Sequence, residues 1–403
     1  MAKRPLGDVV VLLPGILGSV LARDGEEVWA PSPGAIGRAL WSLGRNVRSL
    51  EIGADPVDAD DLGDGVVATR LMPDIHIVPG LWGIDGYSGI TKVMLERFDL
   101  VPGETYLEFP YDWRRDNRVA ARRLHRLVEE KLAAQRAQNP DAKLILIIGH
   151  SMGGLVARHY LECMDGWKDT RALITFGTPH RGSLNALEFL ANGFIKKLGP
   201  LKLVDLTKLL RSLTSVYQLL PTYSCVDLGD GYLTVEELAG RVDGVDEAKA
   251  KAAADFHRDI TTGAGGHDPG VYDLHSIVGT SQATKQSARW DGDRLVIEET
   301  KGGTDEGGDG TVPRVSATPP ETDDWTPRYQ PMYSADRHAS LQNADPVQTQ
   351  LFGILTQPAL PERAFGSINL RADELHRLVE GLVVPVHGLV CVVSDVEPAE
   401  AAP

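Results

Sequence analysis

The sequence contains few cysteines, and they form neither a metal-site pattern nor a disulfide framework. Cys163, Cys225 and Cys391 are an odd number, widely spaced, without CxxC motifs or His-rich surroundings. This usage is typical of a protein in a reducing compartment. We therefore expect a cytoplasmic protein that needs no cofactor or metal. Secretion is the alternative, because Lys3 and Arg4 precede an apolar run as they would in a signal peptide.

Positive charge is also scarce relative to negative charge. The 41 Lys and Arg residues against 56 Asp and Glu residues give a formal net charge of -15 and a pI near 5.2. This balance argues against nucleic-acid binding and against strong attraction to anionic headgroups, so any transient contact with a membrane surface must be mainly apolar. Long apolar runs are absent too, since none approaches the roughly 18 residues that span a bilayer. Nothing in the sequence indicates an oligomeric state.

Short apolar runs that alternate with helical patterns are what the sequence has instead. Four runs bounded by glycine or proline predict buried strands: DVVVLLPG from Asp8, AKLILIIGH from Ala142, RALITFGTP from Arg171 and VYDLHSIVGT from Val271. The intervening segment NRVAARRLHRLVEEKLAAQRAQNP has apolar residues at helical spacing and predicts a crossover helix. The alternation predicts an α/β fold with a mostly parallel sheet covered by helices on both faces.

The later segments predict an insertion and an extension. Leucines recur on nearly every turn of LNALEFLANGFIKKLGPLKLVDLTKLLRSLTSVYQLLPTY, so residues 183–270 are expected to form a helical cap over the carboxyl edge of the sheet, interrupted at Gly199 and Pro200. The α/β core then comprises residues 1–182 and 271–357. It includes a hairpin, SARWDGDRLVIEET, that turns at Asp291 and Gly292. Residues 358–403 predict a C-terminal extension with a disordered end.

The stretch GHSMG, residues 149–153, matches G-x-S-x-G between a predicted strand and a predicted helix. A serine nucleophile must project from a strained strand-to-helix turn, and only small flanking residues permit that geometry. The helix start also favours developing negative charge. A plain glycine-rich turn is the alternative for the bare pattern, but its context favours Ser151 as a nucleophile.

A serine nucleophile needs a general base and an acid that orients the base, in the chain order Ser, acid, His for this fold. Asp309, in GGDGTVP, follows the fourth predicted strand where the acid is expected. The surrounding glycines are typical of a rigid presentation loop. Asp305 and Glu306 are its rivals.

His338, in SADRHASLQN, is the predicted base. Of the other histidines downstream of Asp309, His376 lies within a helical pattern and His387 lies in the tail. His150 is adjacent to the serine and is therefore expected to point away from it.

The tetrahedral intermediate of acyl transfer needs two donors, one after the nucleophile and one in the loop after the first predicted strand. The backbone N–H groups of Met152 and Ile16 meet these requirements, and Leu81 is the runner-up for the second. The residues predicted to contact substrate are Leu17, Leu81, Trp82 and His180. For the histidine in this set, a hydrogen-bonded loop position is the alternative.

Eight motifs occur in one order between residue 9 and about residue 343: LLPGILGS, VPGLWGIDGYSGI, FPYDWRRD, GHSMGG, FGTPHRGS, SVYQLLPT, GDGTVP and RHASLQN. Together they resemble the lecithin:cholesterol acyltransferase-like α/β-hydrolases, which include lysosomal phospholipase A and bacterial relatives. The resemblance implies Ser151, Asp309 and His338 as the triad and Ile16 with Met152 as oxyanion donors. It also implies acyl transfer from a lipid ester to water or an alcohol. Residues 23–60 lack the cysteines that pin a lid in secreted animal members.

The sequence thus predicts a serine esterase, lipase or lipid acyltransferase that works through an acyl-serine. A catalytically inactive lipid-binding protein of the same fold is the alternative. Calcium binding by the acidic loop is disfavoured, because its spacing does not match D-x-[DN]-x-[DN]-G. The motif PYDWR predicts a structural ion pair of Asp112 and Arg114 beneath a buried Trp113, with substrate contact as the alternative.

Overall fold

The computed structural model describes residues 3–30, 50–74, 85–198, 202–229, 231–238, 240–268, 270–291, 294–324 and 331–356. The chain divides into two compact units, Met1–Leu351 and Phe352–Pro403. Of the second unit, residues 352–356 are described, and they form the end of a helix. The predicted C-terminal extension, residues 358–403, lies outside the described residues.

Fifteen strands and nine helices are found among the described residues. The strands are β1 Val9–Leu13, β2 Ser19–Arg23, β3 Glu26–Trp29, β4 Val66–Leu71, β5 Tyr106–Glu108, β6 Leu144–His150, β7 Thr170–Phe176, β8 Ile195–Leu198, β9 Lys202–Asp205, β10 Val226–Asp227, β11 Tyr232–Leu233, β12 Asp273–Gly279, β13 Ser287–Trp290, β14 Leu295–Glu298 and β15 Met332–Ser334. The helices are α1 Ser88–Arg97, α2 Asn117–Arg136, α3 Met152–Cys163, α4 Leu184–Ala191, α5 Thr207–Ser212, α6 Thr214–Tyr217, α7 Val235–Leu238, α8 Glu247–Ala264 and α9 Asp345–Thr356.

A six-stranded parallel sheet forms the centre of the first unit, in the order β15-β12-β7-β6-β1-β5. All five residues of β1 are buried, as expected for a strand covered on both faces. The four predicted strands are confirmed as β1, β6, β7 and β12. The edge strands β5 and β15 were not predicted, because three residues are too few to show a periodic pattern.

The helices around this sheet follow from local sequence. The predicted crossover helix is confirmed as α2, whose start is capped by the Asp116 carboxylate accepting from the Arg118 N–H. Its buried face includes Val119, Leu124 and Val128. Helix α3 is buried along almost its entire length, packed between α2 and α8. No helix in the described ranges is long and apolar enough to cross a membrane.

The segment predicted as a helical cap is only partly helical. Helices α4 to α8 lie within residues 183–270, but the stretch between α4 and α5, expected to be helical on either side of Gly199 and Pro200, contains the antiparallel pair β8 and β9 instead. Helix α4 ends before Gly193, whose φ of 80° belongs to the left-handed region. A backbone hydrogen bond of 2.9 Å from the Leu206 N–H to the Phe194 carbonyl closes the base of the β8–β9 hairpin. The predicted interruption at Gly199 and Pro200 lies outside the described residues.

Besides the β8–β9 pair, the described residues form two further small sheets. The predicted hairpin is confirmed as β13 and β14, which pair antiparallel from Ser287 opposite Glu298 to Trp290 opposite Leu295. It belongs to a four-stranded sheet ordered β11-β10-β13-β14. A three-stranded sheet, β3-β2-β4, follows the first strand. The sequence did not predict β10 or β11, since each has only two residues.

The PYDWR motif supports the turn that follows β1. Trp113 is fully buried and its indole N–H donates to the Ser19 carbonyl at 3.1 Å. The Tyr111 hydroxyl donates to the Pro14 carbonyl at 2.8 Å. The buried Arg114 guanidinium bonds to Asp112 at 2.7 Å and to Asp64 at 2.8 Å. The ion pair predicted from the sequence is present and is structural.

Replacing Arg114 with methionine should destabilise the fold strongly. The change leaves Asp112, 12% exposed, without its cation and leaves Asp64 with only the more distant Arg23, and loss of a buried cation costs about 3–5 kcal/mol of unfolding free energy. Urea denaturation measures this value. Arg126→Met is the matched control, because Arg126 is 53% exposed beside Asp60 and should cost about 1 kcal/mol or less. Equal losses in both variants would contradict a structural role for the buried pair.

Candidate active site

Ser151 occupies a strained turn between β6 and α3. Its φ of 51° and ψ of -126° lie in a sparsely populated region, which costs a non-glycine residue about 1–3 kcal/mol. The glycines around it are required by close backbone contacts. A Cβ on Gly149 would lie 2.3 Å from the Gly154 Cα, and one on Gly153 would lie 2.4 Å from the Pro14 carbonyl oxygen. The sequence prediction of a strand-to-helix elbow is confirmed.

The end of β7 brings the three predicted triad residues together. The Ser151 N–H donates to the carbonyl of Phe176, the last residue of β7, at 2.9 Å. The next residue, Gly177, lies directly against the other two. A Cβ there would be 2.6 Å from Asp309 Oδ2 and 2.8 Å from His338 Nδ1. Serine, acid and histidine therefore surround one short piece of backbone at the carboxyl edge of the sheet.

Asp309, which is buried, and His338, which is partly buried, form a hydrogen-bonded pair. Asp309 Oδ2 lies 2.7 Å from His338 Nδ1, and the His338 N–H donates to the Asp309 carbonyl at 2.9 Å. The other carboxylate oxygen accepts from the N–H groups of Thr311 and Val312 at 2.9 and 2.7 Å. A carboxylate can only accept, so His338 Nδ1 carries the proton and Nε2 is left to accept one.

The two rival acids have other partners. Asp305 Oδ1 accepts from the Gln286 side chain at 2.5 Å and from the Gly307 N–H at 2.8 Å. Glu306 uses its backbone N–H to bond Gln286 Oε1 at 2.9 Å. Asp309 is therefore the member of the acidic loop that contacts the predicted base.

The loop after β1 lies against the nucleophile, as the predicted oxyanion hole requires. A Cβ on Gly15 would be 2.9 Å from the Ser151 Cβ. Within the described ranges, neither the Ile16 N–H nor the Met152 N–H donates to a protein acceptor. Met152 opens α3, where backbone N–H groups lack partners inside the helix. Both predicted donors are thus available beside Ser151, while the neighbouring Leu17 is buried with a φ of 65°.

Of the other three residues predicted to contact substrate, the structure describes His180 alone. Leu81 and Trp82 lie outside the described residues. His180 lines a cavity of about 300 Å³ together with Leu220, Thr222 and one face of α8, and none of the three triad residues is in that lining. Burial, and then Arg158, lowers the pKa of His180 well below its usual range, so this ring is neutral. Its role as a substrate contact stays a prediction.

Two residues near the site were not predicted to serve it. Tyr87 Oη accepts from the Gly15 N–H at 2.8 Å and lies 2.9 Å from His150 Nδ1. The His150 ring lies beside the predicted base, with its Nε2 3.0 Å from the His338 carbonyl oxygen and the two ring centroids 5.0 Å apart, and its expected direction away from the serine stays a prediction. The motif containing Tyr87, VPGLWGIDGYSGI, contributed to the family resemblance, yet nothing in its spacing pointed to the serine. Among the described side chains, no cluster of His, Cys, Asp and Glu could hold a metal ion.

Comparisons with known proteins agree with this arrangement. The family model for lecithin:cholesterol acyltransferase matches residues 84–244. A phosphatidylcholine-sterol acyltransferase of Mus musculus is 36% identical over 99 residues, which cover 23% of this chain and 21% of that protein. This chain is thus similar to the lecithin:cholesterol acyltransferase family over residues 84–244. The acyltransferase-family match includes Ser151 and Met152 but ends before Asp309 and His338.

Two further proteins are similar to this acyltransferase-like chain. An uncharacterized protein of Saccharomyces cerevisiae is 31% identical over 175 residues, which cover 43% of this chain and 23% of that protein. The matches therefore span less than a quarter of the length of either curated relative. A chain from the crystal structure of the Tle4-Tli4 complex superposes with a TM-score of 0.59 at 17% identity, covering 88% of this chain and 98% of that one. This last likeness supports the fold.

Gly153→Ala should impair the site without weakening the helix. The new methyl group must displace the Pro14 carbonyl and with it the adjoining oxyanion loop, so kcat/KM for a short-chain p-nitrophenyl ester should fall about 10²-fold or more. Alanine is the better helix former, but its clash with the backbone of Leu13 and Pro14 also lowers stability, so kcat/KM is measured well below the melting temperature of each variant. Gly53→Ala is the control, since a Cβ there meets nothing within 4 Å. Equal activity of the two variants would contradict the assigned loop contact.

Asp309→Asn and Asp305→Asn form a second matched pair. Asparagine at position 309 cannot hold the His338 tautomer as the carboxylate does, so kcat should fall about 10⁴-fold. The same change at position 305 removes a charge from the same loop but touches Gln286 and Gly307 only, so kcat should stay within about threefold of the parent protein. A large loss at position 305 and a small one at 309 would reverse the assignment.

Proposed function

We propose that this chain is a serine-dependent acyl hydrolase or O-acyltransferase that acts on lipid esters through an acyl-serine intermediate. The observation that carries the proposal is the convergence of Ser151, Asp309 and His338 around the end of β7. A strained serine beside a carboxylate-bound imidazole is the arrangement that nucleophilic acyl transfer requires.

The proposed reaction begins with His338 Nδ1–H on the Asp309 carboxylate and Nε2 directed to Ser151 Oγ. The oxygen attacks the ester carbonyl as Nε2 takes its proton, and the new oxyanion binds the N–H groups of Ile16 and Met152. Collapse of this intermediate breaks the ester C–O bond, and the leaving alkoxide takes the proton from Nε2. Water or an alcohol then attacks the acyl-serine with Nε2 again as base, which releases the acid or a new ester and restores the serine.

A lipid substrate follows from the family and from the physical character of the chain. The Mus musculus relative is a phosphatidylcholine-sterol acyltransferase, and we extend its substrate class, an ester-linked lipid, to this chain. A net charge of -15 gives no general attraction to anionic headgroups, so the lipid should be held through its apolar part. In this proposal residues 183–270 contribute the cover over the acyl chain.

The leucines of residues 183–270 do not all face a substrate pocket, although their helical spacing suggested a cap over one. Leu187, Leu209, Leu213 and Leu220 are buried and belong to the same core cluster as β1 and α3. They stabilise the attachment of the segment to the sheet. An acyl-chain pocket must therefore be built mainly from other residues near Ser151.

Exposure of separate samples, one to a fluorophosphonate probe and the other to a membrane-lipid extract, tests the proposal. The wild-type chain should be labelled at Ser151, and its intact mass should rise by one acyl group when lipid is added. Ser151→Ala should show neither change and should lose about 10⁴-fold or more in ester hydrolysis. Lipid analysis with and without an added alcohol distinguishes hydrolysis from transfer. Folded wild-type protein that binds lipid but is never labelled would instead be an inactive lipid-binding protein.

A further inference from the structure

A buried chain of hydrogen bonds joins the loop after β1 to the histidine of the triad. The Gly15 N–H donates to Tyr87 Oη at 2.8 Å. Tyr87 Oη lies 2.9 Å from His150 Nδ1, and His150 Nε2 lies 3.0 Å from the His338 carbonyl oxygen. Tyr87 and His150 are 1% and 2% exposed, so water does not compete for these bonds.

The chemistry of the two ends fixes the direction of every bond. A carbonyl oxygen can only accept, so His150 Nε2 carries a proton and donates a hydrogen bond to the His338 carbonyl oxygen. The neutral ring then has a bare Nδ1, which must accept from the Tyr87 hydroxyl. Tyr87 Oη in turn accepts from Gly15. All four polar groups are satisfied by one arrangement.

These groups hold their protons in place during turnover. Burial, and then the nearby His338 ring, lowers the pKa of His150 to about 3. Burial raises the pKa of Tyr87 well above its usual value. His150 therefore stays neutral while His338, whose ring centroid is 5.0 Å away, becomes a cation. This series of hydrogen bonds therefore does not carry the proton that moves during the reaction. Its role is to hold the bonded groups in position.

Tyr87 is itself anchored to both sides of the loop. Its N–H donates to the Met72 carbonyl at 3.0 Å, and the Met72 N–H donates to the Gly18 carbonyl at 2.9 Å. Gly18 N–H returns to the Gly15 carbonyl at 3.0 Å. The turn from Gly15 to Gly18, which contains the oxyanion donor Ile16, is thus tied to Tyr87 at each end.

We propose that Tyr87 and His150 are positioning residues, which fix the spacing between the oxyanion loop and the catalytic His338 around Ser151. His150 is covalently joined to the nucleophile, so its bond to His338 links nucleophile and base directly. This inference rests on the proposed acyl-transfer function. A shift of about 1 Å in such groups can cost on the order of 10²-fold in rate.

Two substitutions at His150 test its two hydrogen bonds separately, the one to Tyr87 and the one to the His338 carbonyl. A glutamine amide nitrogen reaches about the place of Nε2 and keeps the bond to the His338 carbonyl. An asparagine oxygen occupies about the place of Nδ1 and keeps the bond to Tyr87 instead. Both remove the buried ring, so they serve as controls for each other in packing and stability.

We expect His150→Asn to lower kcat for a short-chain p-nitrophenyl ester about 10- to 100-fold, and His150→Gln to recover most of that loss. KM should change by less than about twofold in each, because neither side chain contacts substrate. Tyr87→Phe should lower kcat about tenfold at unchanged KM, since it leaves the Gly15 N–H without its acceptor. Melting temperatures measured alongside show how much of each effect is stability.

The outcomes are distinguishable from failure of the function itself. If wild-type protein is neither labelled by a fluorophosphonate nor active on the ester, the proposed function fails. If wild-type protein turns over, equal kcat values for His150→Asn and His150→Gln overturn the positioning role of His150. Should both of these variants fail to fold, Tyr87→Phe decides, and a fall in melting temperature with kcat unchanged would overturn the inference.

Discussion

The contact between the backbone of the elbow and the strands beside it is the constraint on which the site depends. Gly153 lies so close to the Pro14 carbonyl that no side chain fits between them, and the Ser151 N–H is bonded to the end of β7. These contacts hold Ser151 in a conformation that the residue would not adopt alone. The cost of that strain is offset by the surrounding parallel sheet, whose strand β1, which carries the adjoining loop, is wholly buried.

Polar groups buried around the elbow act mainly as supports. The Tyr111 hydroxyl and the Trp113 indole bond the carbonyls of Pro14 and Ser19, one on each side of the loop that carries the predicted oxyanion donor. Arg114 holds this motif in place through two carboxylates. A motif that resembles a substrate-binding signature, with Asp, Trp and Arg together, therefore serves the site by fixing backbone. Buried polar networks of this kind specify one arrangement when all members are bonded.

Family likeness and structure contribute different parts of the functional argument. The match to the acyltransferase family covers residues 84–244, which contain the nucleophile but not the acid or the base. Asp309 and His338 come from a later part of the chain, and their contact at 2.7 Å is a structural observation. The proposed lipid substrate rests on the Mus musculus relative, of which the match covers 21%. The proposed triad and the proposed substrate therefore rest on separate observations.

The sequence by itself determined the elements whose signals are local. Strands β1, β6, β7 and β12, helix α2 and the elbow at Ser151 were predictable, because strand length, helical period and tight-turn glycines are properties of neighbouring residues. The β8–β9 hairpin was missed, since its leucines also fit a helical period. The sequence favoured Asp309 over Asp305, and the tertiary structure shows the contact of Asp309 with His338. Tertiary structure alone decided that Tyr87 bonds both Gly15 and His150. Those contacts join residues far apart in the chain, and only the packed sheet edge brings them within hydrogen-bond distance.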